Sequence, residues 1–364
     1  MKILHVYKDY YPILGGIENH IKTLAEAQTA VNHHVTILVT NPGGQLDYQQ
    51  INGVHVWRVS RLATIASTPL SLSLPLKLRQ LQPDITHLHF PYPIGEVSQW
   101  LLGRKRPYVI TYHSDIVKQQ TILRFYRPLM QKVLHNAARI LPTSQNYIQS
   151  SDALRPLAAK CTVVPLSVQT SLFANVTPLI PPTTLPTLLF IGRHRYYKGI
   201  GDLIQAMTHL QARLLIGGDG PMRAEWQQLA QTLGVSNRVQ FVGQVSDEEL
   251  PRLYASADIF ILPANARSEA FGKVLLEAMA AGLPCITTEV GTGTSFVVQN
   301  GISGLVVPPR QPEQLAQAIQ TLLADPDLRQ RMGQAGRKRV QHEFTVEKMV
   351  ARVTAVYESI INNQ

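Results

Sequence analysis

Residues 258–290 read DIFILPANARSEAFGKVLLEAMAAGLPCITTEV. Two short apolar runs, 258–263 and 284–290, flank a segment of helical character, and a strand–helix–strand unit of this kind builds parallel α/β sheets. The helix is expected to start near Gly272, with Glu269 ahead of it and Glu277 inside it. Ala278, Ala280 and Ala281 allow close packing, Gly282 can cap the end, and Pro284 follows the stop. Free backbone N–H groups at the helix start favour an anion such as a diphosphate. A carboxylate is a good acceptor for the paired hydroxyls of a sugar. Two solvated glutamates on an amphipathic helix would show the same spacing; Phe271-Gly272 and the run of small residues set this segment apart.

The same rhythm extends in both directions. In the second half, runs at 187–192, 212–218, 238–243 and 304–309 read as further buried strands. In the first half, strands are expected at 2–7, 34–40, 54–59, 84–90, 108–113, 138–144 and 161–166, with a helix over about 17–31 after Gly15-Gly16. Residues 167–186 are poor in charge and hold Pro178, Pro181, Pro182 and Pro186, which reads as a connection. The expected fold class is therefore α/β: two doubly wound Rossmann-like domains facing a cleft. The domains are placed at 1–170, together with a last helix over about 345–364, and at 187–344, with a linker at 171–186.

Composition narrows the function. The 364 residues are 45% hydrophobic and 16% charged, a globular balance with ample core. Cys161 and Cys285 make neither a disulfide framework nor a metal-ligand pattern, which fits a reducing cytoplasm. No stretch reads as a signal peptide or a membrane span. The net charge of +10 is uneven: residues 1–175 hold 17 Lys and Arg against 8 Asp and Glu. That field favours an anionic partner such as lipid headgroups or a phosphorylated acceptor. No nucleic-acid motif accompanies it.

Several smaller constellations follow strands. GRHRYYKG, residues 192–199, sets Arg193 and Lys198 in a glycine-bounded loop, where two cations can neutralise a leaving diphosphate without a metal. GGDGPM, 217–222, reads first as a tight turn. Gly15-Gly16 reads as either a phosphate cradle or a plain turn, and His113, ending a strand, as either a cleft residue or a structural one. Residues 118–139 mix Lys118, Arg124, Arg127, Lys132 and Arg139 with Leu123, Phe125, Tyr126, Leu129, Met130 and Val133. Such a helix can lie in a membrane interface or pack on its own domain.

Taken together, the early glycine loop, His113, GR…KG, GGDGP, Glu269-x7-Glu277 and GLVVPP resemble the family 4 glycosyltransferases, which have the GT-B fold, and the resemblance covers essentially the whole chain. It implies that Arg193 and Lys198 hold the donor diphosphate, that Glu277 binds the ribose hydroxyls, and that Glu269 contacts the donor sugar. It also places the amides around Phe271, Gly272 and Lys273 against sugar and phosphate, Gly16 over the phosphate from the opposite domain, and His113 at the reacting centre. It implies retention of anomeric configuration, no divalent metal, no cofactor beyond a nucleotide-sugar substrate, and a last helix that returns to the first domain. One departure stands out. Residues 289–297, EVGTGTSFV, lack the glutamate that many members carry there. This variant, with RYYKG and HLHFPYP, is similar to mannosyl- and rhamnosyltransferases of surface polysaccharides.

The expected function is thus transfer of a sugar, mannose from GDP-mannose, to a glycan or lipid-linked acceptor, by an enzyme in the cytoplasm or on the inner membrane face. The rival readings are a nucleotide-sugar epimerase of the same fold and a non-catalytic binding homologue.

Overall fold

The structure is a computed structural model that describes the chain except for Leu14, Ser67, Arg104, Lys105, residues 117–119 and Gln364, and except for the side chains of residues 120–122. It divides into two compact units, Met1–Leu166 with Val346–Gln364, and Ser167–Thr345.

The first unit contains β1 (Lys2–Val6), β2 (His34–Asn41), β3 (Asp47–Ile51), β4 (Val54–Ser60), β5 (Ala63–Ile65), β6 (Thr68–Leu70), β7 (Ile85–Phe90), β8 (Tyr108–Tyr112) and β9 (Arg139–Pro142). Seven of these form one sheet in the order β3-β4-β2-β1-β7-β8-β9, while β5 and β6 pair separately. All neighbours run parallel except β3 with β4. All six residues of β7 are buried, as a central strand covered on both faces requires. The polar edge strand DYQQI of β3 and the β5–β6 hairpin carry no apolar pattern, and the sequence did not suggest them. Helices α1 (Gly16–Ala30), α2 (Ser73–Gln80), α3 (Pro93–Leu102), α4 (Gln120–Asn136) and α5 (Gln145–Ser150) connect the strands.

The strand expected at 161–166 does not form. Cys161 makes one bridge to Ile140, and the N–H groups of Thr162 and Val164 reach the carbonyls of Ile140 and Pro142. Pro165 then removes the next donor, so no ladder propagates.

The second unit carries β10 (Thr187–Ile191), β11 (Arg213–Gly217), β12 (Val239–Gly243), β13 (Ile259–Leu262), β14 (Cys285–Thr288) and β15 (Gly304–Val307), all parallel in the order β12-β11-β10-β13-β14-β15. Its helices are α6 (Ile200–Ala206), α7 (Arg223–Thr232), α8 (Leu250–Tyr254), α9 (Lys273–Ala281), α10 (Thr294–Val297), α11 (Pro312–Ala324) and α12 (Pro326–Glu343). The proline-rich segment is tied into this unit: the N–H groups of Leu179 and Ile180 both reach the Ser256 hydroxyl. The last helix, α13 (Val346–Ile361), buries Met349, Val350, Val353, Val356 and Tyr357 and belongs to the first unit, packed on α1.

In each sheet the strand order reverses once, between β1 and β7 and between β10 and β13. Doubly wound sheets bind ligands beyond the carboxyl ends of the strands at that switch point. The loops in question are the glycine loop after β1, 192–199 after β10, and 263–272 after β13.

Candidate active site

In the second unit, the loops after β10 and β13 are locked together. Gly199 has φ +68, and a Cβ there would lie 1.8 Å from the carbonyl oxygen of Pro263, so only glycine fits. The Asn265 N–H donates to the Tyr197 carbonyl at 2.9 Å. This closeness brings the Lys198 ammonium to 2.5 Å from the Glu269 carboxylate, with each side chain 10% exposed. Burial works against the charge on Lys198, but Glu269 outweighs it and raises the ammonium above its ordinary range. Arg193, in the same loop, is exposed and makes no ion pair among the described residues. His194 between them is buried against Trp226 and Phe241.

GGDGPM is a packing element as well as a turn. The His194 N–H reaches the Asp219 carbonyl at 2.9 Å, and the Gly192 N–H reaches Gly217 at 3.1 Å. The 217–219 backbone thereby holds the 192–194 backbone in register.

Helix α9 follows Gly272, its N-cap residue, which has φ +82 and offers no side-chain cap. Its first N–H groups are therefore open to an anion. Phe271 is buried beside Phe344. Glu277 accepts from the Tyr254 hydroxyl at 2.9 Å and lies 3.8 Å from Lys273. Burial raises the Glu277 carboxyl above its ordinary range, and Lys273 and Tyr254 pull it partly back. The 289–297 segment, noted in the sequence only as a departure, clamps this loop. Gly293 N–H donates to the Ala270 carbonyl at 2.9 Å, and the Thr292 hydroxyl donates to the Glu269 carbonyl at 2.6 Å.

In the first unit, Gly15 caps α1 and Gly16 is its first residue. The Glu18 side chain folds back on the glycine turn: a Cβ on Gly15 would lie 2.3 Å from its carboxylate oxygen. Burial raises the Glu18 carboxyl, offset in part by its own backbone N–H and by Lys8. His113 follows β8 and is buried in a cluster the sequence reading missed: His5, His20, His87 and His89. The available signal was alternation, since His87 and His89 lie on one face of β7 and His5 is the register partner of His87. His5 Nδ1 lies 3.0 Å from His89 Nε2, and His89 Nδ1 lies 3.1 Å from His113 Nε2. His5 Nε2 contacts Gln28 Oε1 at 2.8 Å, and His87 bridges Tyr357 and Thr111. Burial pushes His5 down to about 4 and holds His87, His89 and His113 well below the ordinary imidazole range. The trios His5-His87-His89 and His20-His89-His113 gather ring nitrogens within 4.8 Å. The ring nitrogens of these trios are engaged with one another, His5 Nδ1 with His89 Nε2 and His89 Nδ1 with His113 Nε2, and so are not directed together at one ion.

Beside β1, a cavity of about 470 Å³ is lined by Tyr7, Ile17, Ile94, Leu123 and Tyr126, with Lys8 as its cation. Glu96 accepts from Tyr126 and from the Tyr92 N–H, linking α3 to α4. In α4, Leu123, Met130, Val133 and Leu134 are buried in their own unit, while Phe125 is 82% exposed between exposed Arg124 and Arg127. Lys118, the first cation expected on this helix, lies outside the described residues. No helix among the described residues is long and apolar enough to cross a membrane.

Residues 177–339 match the family model "Glycosyl transferases group 1", and residues 14–172 match "Glycosyltransferase Family 4". The chain is 36% identical over 359 residues to D-rhamnosyltransferase WbpZ of Pseudomonas aeruginosa, covering 95% of this chain and 92% of the relative. It is 32% identical over 371 residues to O-antigen chain mannosyltransferase C of Escherichia coli, with both chains covered completely. Among solved structures it is similar to a sucrose-phosphate synthase from Thermosynechococcus elongatus, with a TM-score of 0.81 at 25% identity, covering 100% and 99% of the two chains.

Proposed function

The chain belongs to the group 1 glycosyltransferases and has the GT-B fold, and from that premise we propose that it transfers mannose from GDP-mannose, with retention, to a glycan or lipid-linked acceptor of surface-polysaccharide synthesis. The observation that carries the reading is the grouping at the carboxyl ends of β10 and β13: the exposed Arg193, the buried Lys198–Glu269 pair and the open start of α9. Arg193, Lys198 and the amides of Phe271 to Lys273 stabilise the departing diphosphate in an oxocarbenium-like transition state, without a metal. Glu269 contacts the donor sugar and Glu277 the ribose; in the first unit, Gly16 and His113 are the residues that face substrate. An oxygen of the leaving diphosphate takes the acceptor proton. The choice of mannose rests on likeness to relatives named for mannosyl and rhamnosyl transfer.

The acceptor's apolar part suits the cavity beneath Leu123, and Phe125 with its flanking arginines suits an anionic membrane surface in the cytoplasm. Salt-sensitive co-sedimentation with anionic vesicles, lost in Phe125→Ser, checks the membrane part.

A thermal-shift screen of UDP, GDP, ADP and their sugars tests the donor. A shift specific to GDP and GDP-mannose is expected; a shift by UDP or ADP alone overturns that choice. Conversion of donor with no acceptor present marks an epimerase instead.

A further inference from the structure

Five buried histidines in a single unit, of which the proposed chemistry uses one, call for a physical account. Buried imidazoles stay neutral, and a neutral imidazole has one N–H and one lone pair. A chain of such rings is therefore polarised: a donor chosen at one end sets every ring along it.

Two polarities are self-consistent here, and the phenol of Tyr357 decides between them. Its oxygen lies 2.5 Å from His87 Nδ1. A phenol is a stronger acid than a neutral imidazole and is the better donor of the pair. Tyr357 therefore donates to His87 Nδ1, and His87 Nε2–H donates to the Thr111 hydroxyl at 2.6 Å. With its proton committed, the Tyr357 oxygen accepts from the Gln28 amide Nε2 at 3.5 Å, which turns Gln28 Oε1 toward His5. His5 Nε2 must then carry the proton. His5 Nδ1 accepts from His89 Nε2–H, and His89 Nδ1 accepts from His113 Nε2–H.

We propose that Tyr357 and Gln28 are positioning residues that impose one tautomer on His113 through His5 and His89, so that His113 Nε2 carries the proton and its Nδ1 presents a lone pair. His20 packs edge-on against His113, with ring centroids 5.1 Å apart, and braces that ring. In the catalytic role, which rests on glycosyl transfer as proposed, the bare Nδ1 receives a hydrogen bond from a sugar hydroxyl. The opposite tautomer would offer a competing N–H.

The test uses the full chain with 15N-labelled histidine and long-range proton–nitrogen spectra of the ring nitrogens. His5, His87, His89 and His113 should each show a protonated Nε2 and a bare Nδ1. Tyr357→Phe removes the polarising donor, so His5 and His113 should show both tautomers. Transfer should fall by the lost fraction, about twofold at equal populations. Adding Gln28→Glu to Tyr357→Phe supplies an acceptor-only partner and should restore the single tautomer and the rate. A wild-type His113 protonated at Nδ1, or an unchanged single tautomer in Tyr357→Phe, overturns the proposal. The expected spectra in a protein that transfers no sugar would sink the functional reading and leave the tautomer assignment standing.

Discussion

Lys198 Nζ lies 2.5 Å from Glu269 Oε2, and this buried pair ties the loop after β10 to the loop after β13. Arg193, five residues before Lys198, is exposed and makes no ion pair among the described residues. The two cations should therefore respond differently to removal. Lys198→Ala strands a buried carboxylate, which typically costs about 3–5 kcal/mol, and it should lower both the melting temperature and turnover. Arg193→Ala should leave stability within about 0.5 kcal/mol. It should still lower kcat by about 10²–10³, because it removes stabilisation of the leaving diphosphate. Thermal unfolding and initial rates on the same two variants check this; near-normal turnover in both would remove the diphosphate role.

Gly199→Ala should destabilise the second unit by at least about 2 kcal/mol, from a left-handed backbone and a methyl driven into Pro263 O. Urea unfolding followed by the buried Trp226 reports on that unit.

Glu277→Gln keeps an acceptor for the Tyr254 hydroxyl but removes a charge that burial already disfavours. Stability should be unchanged or higher, while affinity for the nucleotide should fall about tenfold as a charged hydrogen bond to the ribose is lost. Calorimetric titration with GDP measures both the loss and the base preference.

Acid should weaken the first unit. His5 titrates near pH 4 in the folded state against 6.5 in an unfolded chain, and three neighbouring histidines are depressed as well. Below pH 6.5 the unfolded state binds more protons, so stability falls as pH drops toward 4, by about 3 kcal/mol for His5 alone. Glu96 opposes this: burial raises it to about 7 from 4.5, so it adds stability as pH falls from 7 to 4.5. Glu18, also raised by burial, acts in the same direction as Glu96; four imidazoles outweigh these two carboxyls, and the urea midpoint read by Trp57 and Trp100 should drop between pH 7 and 5. Glu96→Gln should steepen that drop; a flat profile would contradict a neutral histidine core.

Much of the fold was legible because its signal is local. Central strands such as 188–191 and 259–262 are continuous apolar runs, and Gly272 and Gly282 bracket α9 at the expected places. Edge strand β3 was not legible, since DYQQI faces water and has no pattern to read. For the site, motif residues were visible one loop at a time. That Lys198 pairs with Glu269, and that 289–297 clamps the Ala270 backbone, depends on the β10–β13 and β13–β14 adjacencies and on glycine contacts that no local window contains. The histidine chain was hidden for the same reason: Gln28, His87 and Tyr357 meet only after α1, β7 and α13 pack together.

Helix α13 gives the protein an order of assembly. The first unit is started by residue 2 but lacks a wall until Val346–Gln364 arrives, after all of Ser167–Thr345 has been synthesised. A nascent chain at any earlier stage has no Tyr357 to orient Gln28 and His87, so its histidine core is open and unpolarised. A chain that stops before residue 346 therefore leaves the α1 surface uncovered and available to chaperones and proteases.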